Sequence, residues 1–291
     1  MPPIELRAAL ATMFTGWKAD LPASWRTFFA DADVDASLVR VGLPLVAPHD
    51  VIFPGRKGAP PAGAPAGAHV ARAFDQITPG KVRVVVIGQD PYPSVGQATG
   101  RSFEQADIND EHGDMKGITP SLRCILQAVA LARTGDRKYV DGGGGWKRVL
   151  AARAAGELDL ALPLALWDRW QKAGVVFVNA AATFNKFEGA YQKAHLAFWT
   201  PVIARLVRGL AARSGPGTVF VAWGRFAQDL LEAAEVKQIA KAAGRWGTRV
   251  RIVVGPHPRA QGAGPPFLKG RNPFGQINAA LARIDEPPVA W

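Results

Sequence analysis

Apolar residues run without polar interruption from Val84 to Ile87 and stop at Gly88. A β-branched run of this kind reads as a strand buried on both faces, here residues 82–87. Similar runs occur at 175–178, 218–222 and 249–254, each bounded by Gly or Pro. Helical patterns lie between them at 120–133, 196–213 and 224–243. Alternation of strand and helix predicts right-handed crossovers, and with them a three-layer α/β/α fold around a central four-stranded parallel sheet. Residues 3–40 read as short helices with Trp17, Trp25, Phe28 and Phe29 as packing anchors. A further short helix is expected near 69–76, and the Pro-, Gly- and Ala-rich residues 54–68 read as a loop rather than a linker. Residues 1–291 are therefore read as one domain, with an N-terminal helical segment at 1–50 and a surface insertion at 135–160. In that insertion the run Gly142 to Gly145 lacks the Gly-Lys-Ser/Thr ending of a phosphate-binding loop and reads as a flexible turn.

Polar residues punctuate the strand ends. Gln89-Asp90-Pro91-Tyr92 follows the first strand, Asn179 the second and Gly255-Pro256-His257-Pro258 the fourth. In a parallel sheet the carboxyl ends converge on one crevice, where ligands bind. An Asp, an Asn and a His there, with Tyr92 and Phe103, have the makings of a base-binding pocket: aromatic faces to stack, an amide to read an edge, an acid and a donor for chemistry. Each residue has a plainer use as well. Asp90 before Pro91 is a common turn former, His257 sits between two prolines, and Tyr92 and Phe103 suit ordinary core packing.

The 291 residues are 48% hydrophobic, enough for a full core, and carry a net charge of +11. Such a charge favours a polyanionic partner, because neutralising phosphates releases counterions, although it also serves plain solubility. The single cysteine, Cys124, excludes a disulfide framework, a cysteine-ligated zinc site and an iron–sulfur cluster. No signal peptide, transit peptide or membrane span is expected, so the chain is placed in the cytoplasm, close to the nucleoid.

In order along the chain, Gly88-Gln89-Asp90-Pro91-Tyr92, Gly96-Gln97-Ala98, Phe103, Pro120-Ser121-Leu122, Asn179, Trp223-Gly224 and His257-Pro258 carry a pattern. Over roughly residues 50–291 this pattern resembles the family 1 uracil-DNA glycosylases. The resemblance implies that Asp90 holds or activates water and stabilises positive charge on the deoxyribose, and that His257, as a neutral imidazole, donates to uracil O2. It implies that Asn179 reads uracil O4 and N3–H, that Tyr92 excludes the thymine methyl, that Phe103 stacks on the base and that Gln89 hydrogen-bonds it. Pro120, Ser121, Pro258, Arg259 and Gln261 are the implied DNA contacts. The implied partner is uracil-containing DNA, single- or double-stranded, met by a monomer that needs no metal or other cofactor.

The chain also departs from the pattern. Pro93 stands where the family usually has His, Arg259 where it has a phosphate-contacting Ser, and Gln261 where it has an apolar Leu that wedges into the gap left by the flipped nucleotide. Tight binding by the family's small acidic protein inhibitor, which engulfs that Leu, is not expected. Beside a glycosylase that hydrolyses deoxyuridine stand a DNA-binding homologue without turnover and a glycosylase of widened specificity. A small-molecule nucleoside hydrolase leaves the positive charge unexplained.

Overall fold

The computed structural model of the protein describes residues 4–46, 50–259 and 266–291. The chain opens with β1 (Ile4–Glu5), α1 (Leu6–Met13) and α2 (Ala23–Phe28), and β2 (Pro44–Leu45) returns to pair antiparallel with β1. The main body follows as β3 (Val84–Gly88), α3 (Pro120–Thr134), α4 (Gly145–Ala154), α5 (Pro163–Lys172), β4 (Val175–Asn179) and α6 (Gly189–Ala212). It is completed by β5 (Thr218–Trp223), α7 (Arg225–Ala233), α8 (Val236–Ala242), β6 (Val250–Gly255) and α9 (Pro273–Ala282). Strands β4, β3, β5 and β6 form, in that order, one parallel sheet, the four-stranded α/β arrangement expected from the apolar runs.

Side chains alternate across a strand, so a strand covered on both sides must be apolar at every position. Val85, Ile87, Val176, Val178, Phe220 and Ala222 pack on one face with residues of α1, α2, α6, α7 and α8. Val84, Val86, Val175, Phe177, Val219 and Val221 pack on the other with residues of α3, α4, α5 and α9. The aromatic anchors of the N-terminal segment join the first of these cores. Trp17 and Trp25 are buried, with Trp17 edge-on to Trp199 at 5.2 Å. Their indole N–H groups are satisfied by Asp33 at 2.7 Å and by the Ile77 carbonyl at 2.6 Å. Phe28 is only partly buried, at the border of that core.

Two expected helices differ in extent. The single helix expected at 224–243 is two, α7 and α8, because Glu235 adopts a left-handed φ of 54° that cannot continue a right-handed helix. Helix α6 starts at Gly189 rather than 196, and its buried face already includes Tyr191, Ala194 and His195. Residues 135–160, expected at the surface, carry α4, whose Val149 and Ala152 are buried with Leu158 and Leu160. Among the described residues no helix is long and apolar enough to cross a membrane.

Register decides where the polar ends fall. Gly88 lies beside Asn179 and Trp223 beside Gly255, so the loops after all four strands leave the sheet at the same edge.

Candidate active site

At that edge a cavity of about 230 Å³ is lined by Gln89, Asp90, Tyr92, Phe103, Ser121, Asn179, His257 and Arg259. Larger hollows of about 580, 510, 300 and 280 Å³ lie beside Arg133 and Trp291, between α6 and α7, beside Lys269 and Arg271, and behind His257 against Trp223, and none of the four brings a carboxylate, an imidazole and an amide together.

The approach of the first two strand ends requires a glycine. A Cβ at Gly88 would lie 2.4 Å from Asn179 Oδ1 and 2.7 Å from Ser102 Cβ, so the Asn179 amide rests across bare backbone. Ala180 and Ala181 donate their N–H groups to the carbonyls of Gly88 and Gln89, both at 2.9 Å, which locks the loops after β4 and β3 together. Asn179 itself is buried. Farther along, Thr183 and Asn185 bond the two ring nitrogens of buried His195 at 2.8 and 2.9 Å, and Trp199 donates to Thr183 at 2.8 Å. Burial pushes the His195 imidazole down to about 3, so it stays neutral within this network.

Asp90 is half-buried. Its Oδ2 accepts a hydrogen bond from the Gln192 amide at 3.0 Å, while its buried Oδ1 has no hydrogen-bond partner. Burial, partly opposed by the amides of Gln192 and Gln89, pushes its carboxyl up to about 6. At pH 7 the ionised form still prevails by about ten to one. It is thus an under-solvated carboxylate, suited to stabilising a cation or to taking a proton from water.

His257 is held in one tautomer. The backbone N–H of Arg259 donates to its Nδ1 at 3.0 Å, which leaves the proton of the neutral ring on Nε2. Burial, then the Arg259 charge, lowers its pKa, so the ring is a neutral hydrogen-bond donor. The ring approaches through another glycine: Gly224 has a φ of 94°, and a Cβ there would lie 2.9 Å from His257 Cβ.

The aromatic walls are equally constrained. The Tyr92 hydroxyl accepts from Thr119 Oγ1 at 3.0 Å and donates to the Phe103 carbonyl at 3.5 Å, and burial pushes it up to about 12. Phe103 has a left-handed φ of 60°, a conformation that costs a side-chain-bearing residue about 1 to 2 kcal/mol. Its neighbours enforce it. Buried Arg101 and Glu104 pair at 3.1 Å on either side, and Trp167 donates to the Ser102 carbonyl at 3.0 Å. The strain aims the Phe103 ring into the site, 5.9 Å from both Trp223 and His257.

Of the residues singled out in the sequence, Pro120 and Pro258 do not line the cavity, and Gln261 lies outside the described residues. Sequence reasoning missed Gln192, Phe184 and Phe187, which do line it. A signal was available for Gln192: a helix that follows a parallel strand begins at the ligand-binding edge, and Gln192 lies in the first turn of α6.

The chain is similar to known proteins in the same sense. It is 29% identical over 228 residues to uracil-DNA glycosylase 1 of Streptomyces coelicolor, covering 78% of this chain and 80% of that protein. It is 30% identical to the uracil-DNA glycosylase of Mycobacteroides abscessus over 227 residues, with the same coverage. The fold is like that of the mimivirus uracil-DNA glycosylase, at a TM-score of 0.60 and 19% identity over 100% of this chain and 94% of that one. A mimivirus UNG variant solved in complex with UGI superposes at a TM-score of 0.59 with 20% identity over 99% of this chain and 94% of that one. The family model matches residues 74–282, the span that runs from the loop before β3 to the end of α9 and holds Asp90, Asn179 and His257, and the chain belongs to the Uracil DNA glycosylase superfamily.

Proposed function

We propose that this cavity is the catalytic pocket of a monofunctional uracil-DNA glycosylase, which hydrolyses the N-glycosidic bond of deoxyuridine in DNA and leaves an abasic site. The observation that carries the reading is the pairing, around one small cavity, of a half-buried carboxylate with an imidazole whose free proton is on Nε2. As the C1′–N1 bond lengthens, its electron pair moves onto uracil and negative charge gathers on O2, where the Nε2–H of His257 meets it. Positive charge develops on the sugar and is stabilised by Asp90. Water then bonds to C1′, and Asp90 takes the proton that water gives up. A neutral donor suits this work, since it stabilises the leaving anion without a full proton transfer.

Recognition follows from the amide at Asn179, whose NH2 donates to uracil O4 and whose carbonyl accepts from N3–H. Cytosine presents an amino donor and a bare ring nitrogen at those places and is refused. Tyr92 occupies the space beside C5 and bars the thymine methyl. Phe103 stacks on the flipped base and Gln89 bonds to it. Pro120, Ser121, Pro258, Arg259 and Gln261 meet the surrounding DNA. The chain acts as a monomer and as one domain over residues 1–291, an arrangement supported by two apolar cores resting on a single sheet. The setting this reading entails is the cytoplasm, beside the nucleoid. The proteinaceous inhibitor binds poorly, because an apolar cavity shaped for Leu would have to desolvate the Gln261 amide without giving it a partner.

The chemistry is hydrolytic rather than lyase-type: among the described residues no lysine lines the cavity to form a Schiff base. The deciding experiment is incubation with a uracil-containing oligonucleotide followed by alkali. Strand cleavage at uracil is expected. An intact strand at stoichiometric protein removes the enzyme reading and leaves a DNA-binding homologue.

A further inference from the structure

Phe187 lines the same cavity as Asp90, Tyr92 and His257, yet 75% of it is exposed. A single exposed apolar side chain is ordinary on a protein surface. What sets this one apart is its place and its anchoring. Among the described residues, the other strongly exposed large hydrophobics are aliphatic, and none of them lines this cavity.

The chain on both sides of Phe187 is pinned. Phe184 and Phe53 exchange backbone hydrogen bonds at 2.7 and 2.8 Å, and buried Phe184 packs edge-on against Phe53 at 5.7 Å. Asn185 is tied to His195, and the Lys186 ammonium lies 3.4 Å from Asp50 and 3.9 Å from the Tyr191 ring. The Glu188 N–H closes the turn on the Lys186 carbonyl at 3.0 Å. The ring of Phe187 is thus presented to solvent from a fixed base, with Phe184 beside it at 6.4 Å. Topology sets it across the sheet from a cation that lines the same cavity. Strands β4 and β6 are the two edges of the sheet; Phe187 follows β4 and exposed Arg259 follows β6, with Asp90 between them after β3.

We propose that Phe187 stacks on the nucleobase next to the flipped nucleotide, so that the β4–α6 loop, as well as the loop after His257, grips the distorted DNA. This rests on the glycosylase reading. Phenylalanine has no polar atom to read a base edge and every base has a π-face, so the contact is indifferent to sequence. It also supplies an apolar ring at the mouth in a chain whose position for the family's Leu wedge holds Gln261. Aromatic and aliphatic side chains commonly fill or brace disrupted base stacks in this way.

The test uses the full chain and a duplex carrying non-hydrolysable 2′-fluoro-deoxyuridine with 2-aminopurine beside it. Phe187→Ala is expected to bind this duplex about 5- to 150-fold more weakly. Its salt dependence should be unchanged, because no phosphate contact is lost. The bound 2-aminopurine should be brighter than with the unsubstituted protein, since the ring that quenches it is gone. Phe187→Trp should keep both affinity and quenching. Equal affinity and equal fluorescence for Phe187→Ala, or a Phe187→Trp variant as weak as Phe187→Ala, overturns the assignment of Phe187. Release of uracil from an ordinary deoxyuridine oligonucleotide is measured alongside with the unsubstituted protein. Its absence overturns the glycosylase reading, and the stacking proposal falls with it.

Discussion

Gln192 Nε2 donates to Asp90 Oδ2 at 3.0 Å, joining the first turn of α6 to the loop after β3 across 102 positions of sequence. That loop carries Pro93, which has no polar side chain, so the carboxylate draws this hydrogen bond from another element. The amide favours the ionised form against the burial that raises the Asp90 pKa to about 6. Tyr92, His257 and Arg259 line the same cavity, and Lys186, ahead of α6, is engaged with Asp50 and Glu188. Gln192→Leu removes the donor, so the acid limb of the single-turnover rate should move to higher pH. Uracil release should fall most near pH 6 and recover as pH rises. A carbon-13 titration of the Asp90 carboxyl should move the same way, independent of turnover. A lower rate with an unmoved limb would assign Gln192 a purely structural part.

Asp90→Asn should slow uracil release by orders of magnitude while DNA binding persists, because an amide neither stabilises positive charge as a carboxylate does nor accepts the water proton. It should also stabilise the fold. A carboxyl with a raised folded pKa disfavours the native state when ionised; that penalty is absent below about 3.8, grows between there and about 6, and persists at neutral pH. For a half-buried group this is about 1 to 3 kcal/mol at pH 7. Thermal unfolding of both proteins at pH 4 and pH 7 checks it: the Asn variant should lead at pH 7 and lose that lead at pH 4.

Gly88→Ala places a methyl 2.4 Å from Asn179 Oδ1, so the amide must swing away. Uracil release should fall at least ten-fold, a loss of about 1.4 kcal/mol of transition-state binding, with discrimination against cytosine weakened. Kinetics on matched uracil and cytosine oligonucleotides would show it. Unchanged selectivity would mean that Asn179 is not the reader of the base edge.

Tyr92→Ala should open the space beside C5 and admit thymine. Alkali-sensitive sites at ordinary A·T pairs are the readout, and a variant that remains blind to thymine would show that another group bars the methyl.

Arg259→Ala keeps the backbone N–H that fixes the His257 tautomer and removes only the guanidinium. Binding to uracil-free DNA should weaken and the slope of log affinity against log salt should flatten by about one unit. An unchanged slope would remove Arg259 from the phosphate contacts. The His257 pKa followed by NMR should move slightly upward, because the Arg259 charge helps to hold it down.

Much of this protein was legible in the chain itself. Uninterrupted β-branched runs suit strands covered on both faces, as β3, β4 and β5 are, while the fourth, β6, is an edge strand only partly covered; the parallel sheet, its four strands and its layers followed from local pattern. Polar residues placed directly after such strands had to meet at one edge, which located Asp90, Asn179 and His257. The reach of the helices was less legible. The left-handed turn at Glu235 leaves no mark in an apolar period, and the inner face of α4 is visible only against the core that it covers.

Tertiary structure alone decided what depends on distance between elements remote in sequence. Whether Asp90 has a hydrogen-bond partner, which nitrogen of His257 carries the proton, and how far burial moves their pKa values are set by Gln192, by the Arg259 backbone and by the surrounding protein. The same holds for Phe187, whose residue type suggests core packing and whose exposure at the cavity mouth appears only when the β4–α6 loop is fixed in space. Hydrophobic periodicity is a property of neighbouring residues along the chain and can be read from them. Electrostatics and hydrogen bonding act through space, and their partners are known only once the chain has folded.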